Sequence, residues 1–155
     1  MFREVSIRSA LTPLAAAVAL AVAPFAIAGT AAARPASKAS AMQSVTVSVS
    51  NGAHVLLAPR TVKPSRGWIT RGGAPAGKCP ADSAQGALNV ATRGHWKGSW
   101  YASYHEYFIT GILGLNETSK KHYWGLYVNG KLASKGACEV HLRAGERLLF
   151  KVTKA

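Results

Sequence analysis

Apolar and polar positions alternate in several stretches of this chain. Val45, Val47 and Val49 alternate with Thr46, Ser48 and Ser50 before Asn51-Gly52, the period-two pattern of a strand with one buried face. Trp124, Leu126 and Val128 alternate with Tyr123, Gly125 and Tyr127, then run into Asn129-Gly130. That pair is the best short signal for a tight type I′ hairpin, because both residues tolerate positive φ. Cys138, Val140 and Leu142 then alternate with Glu139, His141 and Arg143. A turn over 144–146 leads to Leu148, Phe150 and Val152. Residues 123–152 therefore read as a meander of three strands with one apolar face in need of a cover.

The cover is predicted to be a helix over 80–92. Pro80 suits a first turn and Asp82 a helix N-terminus, where a carboxylate meets unpaired N–H groups. Ala84, Ala87, Leu88 and Ala91 recur at helical spacing, a narrow face of small residues that can lie close on a sheet, and Arg93-Gly94 ends it. Val55–Val62 is a further apolar segment, which Pro59 marks as an edge or irregular strand. The Pro-, Gly- and Arg-rich stretch 63–78 reads as loop. Its Trp68 is read as an anchor tucked over the core, with an exposed aromatic for stacking as the alternative. Residues 95–115 read as two short strands with bends at Gly111 and Gly114, and 116–122 as a polar loop. The fold class that results is α+β: one small, mostly antiparallel sheet with a single helix packed across it, in a single domain over 44–155.

The start of the chain has a different character. Arg3 and Arg8 precede an Ala/Val/Leu run from Leu11 to Ala28, and small residues offer cleavage after Ala28 or Ala33. Residues 1–33 therefore read as a signal peptide. An uncleaved anchor is the competing reading, weakened by Pro13 and Pro24 within the run. Residues 34–43 read as a disordered lead-in. The expected location is secreted or cell envelope, with no membrane span after cleavage. Cys79 and Cys138 are the only cysteines, and an even count in an exported chain points to a bridge.

Charge narrows the partners. The net charge is +13, and loss of Arg3, Arg8 and Glu4 with the leader lowers it by one to +12. Such a balance favours an anionic cell-wall polymer or glycan. The charge is shared by nucleic-acid binders, but no nucleic-acid module is recognisable. Catalytic residues are not signalled: His54, His95, His105, His122 and His141 form no metal-ligand pair, and His105 and Glu106 are adjacent in a strand, on opposite faces. No metal or cofactor is called for by the residues themselves, and an enzyme is not expected. The candidate ligand-binding set is Trp96, Trp100, Tyr101 and Tyr104 with Arg93 and Lys97, where aromatic faces beside cations combine stacking and charge. The competing reading of these aromatics is core or sheet-surface packing. The functional alternatives are thus an exported, non-enzymatic binding module for a polymer, glycan or small ligand, or an accessory domain that docks another secreted protein.

A series of landmarks runs through Ala87-Leu88-Asn89, Tyr107-Phe108-Ile109 leading into 111–114, and 123–131 with its Val128-Asn129-Gly130. It continues in Gly136-Ala137 and in Leu142 with Gly145-Glu146. In their order these landmarks resemble the transcobalamin-like C-terminal domain family, which usually has Gly-Asp where this chain has Gly145-Glu146. The resemblance covers about residues 44–152 and implies a mixed sheet crossed by one helix, similar to a β-grasp. The family occurs at the end of vitamin-B12 carriers, as a lid over the corrinoid, and widely in bacterial exported proteins of unknown function. Cobalamin is the ligand the resemblance implies, with no contact residue carried over.

Overall fold

The computed structural model of the chain describes residues 43–71, 76–117, 119 and 121–155. The expected signal peptide and all but the last residue of the expected lead-in lie outside these residues. The elements in chain order are β1 (Val45–Ser50), β2 (Val55–Val62), β3 (Trp68–Arg71), β4 (Gly77–Pro80), α1 (Ala84–Ala91), β5 (Trp96–Tyr101), β6 (Glu106–Ile112), β7 (His122–Val128), β8 (Lys131–Leu132) and β9 (Arg147–Lys154).

Five of the strands form one sheet in the order β2-β1-β9-β7-β8, while β3–β4 and β5–β6 are separate two-stranded ribbons. β1 runs parallel to β9, pairing Val47 with Leu148 and Val49 with Phe150. The other pairings in the sheet are antiparallel. One sheet face carries Val45, Val47, Val49, Trp124, Leu126, Leu148 and Phe150, all buried in one cluster with Ala84, Ala87, Leu88 and Ala91 of α1. The small helix face does what its composition allows, bringing the helix backbone close to the valines of β1. β2 is an edge strand, and its pairing with β1 slips beside Ala58-Pro59, between the Arg60 and Leu57 partners. An edge is where a residue without an N–H does least harm to a ladder. Asn129 and Gly130 both have positive φ, 51° and 85°, and join β7 to β8 as the Asn-Gly pair predicts.

Four expectations are corrected. The helix is shorter than 80–92: Pro80 belongs to β4, no acid lies in the first turn, and Ser83, not Asp82, is the N-cap, its hydroxyl accepting from the Gly86 N–H at 3.3 Å. The stretch 63–78 is not all loop, because Trp68 pairs with Pro80 and Ile69 with Cys79 across the β3–β4 ribbon. Trp68 is not tucked over the core but is 58 % exposed, with the Lys78 ammonium 4.6 Å from its ring centre.

The fourth is the meander, whose middle strand does not form. The Val140 carbonyl accepts from Ala84 N–H and the Ala137 carbonyl from Gln85 N–H, each at 3.0 Å. These are helix-start donors with no partner inside the helix. Backbone acceptors that serve the helix end are not available to a ladder. β9 therefore pairs directly with β7 along 122–128. The bridge between Cys79 and Cys138 is present, with Cα atoms 5.3 Å apart. It ties β4 to the turn that carries Cys138 and so holds this segment against the helix start.

Candidate functional site

The β5–β6 ribbon stands beside β7 without pairing to it. Along that junction lies a cleft of about 370 Å³, lined by 106–109 of β6, 123–126 of β7, Leu132 of β8, then Ala133 and 135–137, with Tyr101, Tyr104 and Phe150. Its rings come from different elements. Tyr101 ends β5, Tyr104 sits in the connecting turn, Phe108 is on β6 and Tyr123 on β7. Tyr104 is 71 % exposed, and Tyr101 and Phe108 are also exposed large side chains. Tyr101 and Phe108 meet edge to face, 6.3 Å between centres, an arrangement that orients both rings.

Polar groups in the cleft are few. Glu106 Oε1 accepts from the Tyr107 N–H and the Cys138 N–H, both at 3.1 Å, and Oε2 accepts from the Cys138 N–H at 3.0 Å. Gly136 packs on this carboxylate so closely that a Cβ there would overlap it. Burial pushes the Glu106 carboxyl above its ordinary pKa; the backbone hydrogen bonds from Cys138 and Tyr107 oppose the shift, and the Glu139 charge adds to it. Trp124 lines the cleft, and its buried Nε1 has no hydrogen-bond partner. A buried donor left unmet costs roughly 1–3 kcal/mol. Lys135 is the one lysine, arginine or histidine in the lining.

The six residues singled out in the sequence do not form one site. Tyr101 and Tyr104 line the cleft. Trp100 is half-buried and packs edge-on against Tyr107, 4.9 Å between centres. Trp96 is a core residue, 1 % exposed, whose Nε1 donates to Asn89 Oδ1 at 2.9 Å. Arg93 and Lys97 are exposed but outside the cleft lining; Lys97 borders a separate hollow with His95 and Asn116. Sequence reasoning missed Glu106, Phe108, Tyr123 and Trp124. The available signal was scarcity: Glu106 is one of only six acidic residues in the chain, and it falls within an aromatic stretch.

Among the described residues, no group of three or more His, Cys, Asp or Glu side chains is placed to hold a metal ion. No helix among them is long and apolar enough to cross a membrane.

The fold is that of a small α+β domain, and comparison with known proteins finds similar ones. Residues 83–154, from the helix cap to the last strand, match the family described as Domain of unknown function (DUF4430), a transcobalamin-like domain family. A comparison with curated proteins finds no match. Among solved structures, a protein from Ruminococcus gnavus ATCC 29149 proposed to bind metal is similar at a TM-score of 0.53 and 13 % identity, over 73 % of this chain and 98 % of that one. Haptocorrin, crystallised in complex with Cbi, is similar at a TM-score of 0.50 and 22 % identity, over 72 % of this chain. The match spans 25 % of haptocorrin's length. At these identities the likeness is one of fold.

Proposed function

We propose that this domain is an exported, non-enzymatic binding module whose ligand site is the aromatic cleft between β6 and β7. The observation that carries this is concavity. The exposed rings of Tyr101, Tyr104 and Phe108 and the half-buried ring of Tyr123 border one hollow of about 370 Å³, a size in the range of small-molecule sites. Apolar walls with a few convergent polar groups suit a small planar or ring-shaped ligand, a sugar ring included. Arg93 and Lys97 lie outside the lining, which favours a small ligand over a polymer held by the basic surface. The disulfide fits an oxidising compartment and hence export. In this reading the helix across the mixed sheet is a β-grasp-like arrangement.

Corrinoid binding is a weaker proposal, since the match spans a quarter of haptocorrin. Metal binding, named for the Ruminococcus protein, finds no donor set among the described residues. The accessory-domain reading draws on one observation, the exposed edge strand β2 with Val55 68 % exposed; Pro59 within it limits strand pairing.

The test is a titration of the full chain with a planar aromatic probe (p-nitrophenol) and a chitin oligosaccharide, followed by intrinsic fluorescence at low and high salt. Saturable binding that Tyr104→Ala and Phe108→Ala each weaken by roughly fivefold or more supports the cleft. Binding that survives both changes but is lost with salt would move the site to the basic surface.

A further inference from the structure

We propose that the cleft selects an organic cation of the ammonium type, seated on the rings of Tyr101, Tyr104, Phe108 and Tyr123 and facing the Glu106 carboxylate. This rests on the aromatic cleft being the ligand site and names the chemistry that the site prefers.

Charge in this chain is lopsided. The chain carries 19 Lys and Arg against 6 acidic residues, so a carboxylate has an abundance of cations to pair with. Glu106 takes none of them: no cation acts on its carboxyl, whereas nearby Glu139 is met by Lys135 at 4.0 Å. The Glu106 carboxylate is instead half-buried at the edge of an apolar cleft, satisfied in part by two backbone N–H donors. A backbone donor satisfies a lone pair but does not neutralise the charge. Burial raises the proton affinity of the group because no opposite charge offsets the loss of water.

The surroundings suit a cation for a second, independent reason. Aromatic faces carry negative electrostatic potential, and rings gathered around a hollow attract an alkylated ammonium whose own hydration is weak. An anionic ligand would meet the Glu106 charge, and a neutral one would leave that charge unpaired. Lys135 is the only basic group at the lining. Its side chain is 66 % exposed and its ammonium reaches toward Glu139, so it stands at the mouth.

The probes are choline and its uncharged isostere 3,3-dimethylbutan-1-ol, titrated into the isotopically labelled full chain. The readouts are the Trp124 indole N–H and the Tyr107 and Cys138 amides. Choline is expected to shift these resonances saturably, with an affinity at least roughly tenfold above that of the isostere. Glu106→Gln should bring the two probes within about twofold of each other, and Lys135→Gln should strengthen choline. The comparison of probes on the unaltered chain decides the matter even if Glu106→Gln fails to fold. Equal binding of the isostere at the same resonances would overturn the cation preference and leave the cleft as the site. Failure of choline, with p-nitrophenol still bound in a Tyr104-dependent way, would do the same. Failure of choline, isostere, p-nitrophenol and oligosaccharide alike would overturn both readings.

Discussion

Removing the Cys79–Cys138 bridge should cost as much as the severe packing defects of this core, and it should also open the cleft. The bridge closes a separation of 59 residues, spanning α1, the β5–β6 ribbon and the β7–β8 hairpin. Freeing a loop of that length in the unfolded chain corresponds to about 4 kcal/mol in the chain-entropy model, a large share of the roughly 5–15 kcal/mol that holds a domain folded. Both cysteines are buried, at 0 % and 3 % exposure, so reductant reaches the bridge only when the structure opens. Urea unfolding of the oxidised and reduced full chain should therefore differ by about 4 kcal/mol, or about 2 M in midpoint for a typical slope. Reduction under native conditions should be slow and should accelerate in urea. The same bridge holds the Cys138 N–H under Glu106, so the reduced chain should also bind cleft probes more weakly. A stability difference below about 1 kcal/mol would refute the loop-closure reasoning, and unchanged probe affinity would refute the link between the bridge and the cleft wall.

Two further changes test the packing and the buried acid. Gly86→Ala should destabilise by roughly 2 kcal/mol or more, although alanine is the better helix former by about 1 kcal/mol, because the added Cβ runs into the backbone of Ala81. A urea midpoint at or above that of the parent would refute the clash. Glu106 should weaken the fold as pH rises: its native pKa is raised, so the native state binds the proton more tightly than the unfolded chain does. The stability this gives is complete below the unfolded pKa, about 4.3, and is lost as pH climbs through the raised native value. Unfolding free energies at pH 4 and pH 7 should show the parent losing stability relative to Glu106→Gln; a constant or growing advantage of the parent would contradict the sign.

Local pattern and remote contact divide the account of this domain. Alternation places β1, β7 and β9 and chooses their buried faces, because side chains on a strand alternate and only one face can leave water. Helical spacing identifies Ala84, Ala87, Leu88 and Ala91, Pro59 marks the edge strand, and Asn129-Gly130 marks the hairpin. Each of these is decided within a few residues of chain. What lay beyond such reach was which strand takes which neighbour. Val140 and Leu142 alternate as well as Leu148 and Phe150 do, yet the segment around Cys138 spends its carbonyls on the helix start, and β9 takes the place beside β7. Trp96 and Tyr104 look alike as aromatics in one stretch; one is sealed under the helix by Asn89 and the other stands in solvent. The cleft itself exists only because β6, β7 and the Cys138 turn, separated along the chain, are brought together. A carboxylate's partners and a ring's exposure are properties of that assembly, which is why Glu106 acquires its place only in the folded molecule.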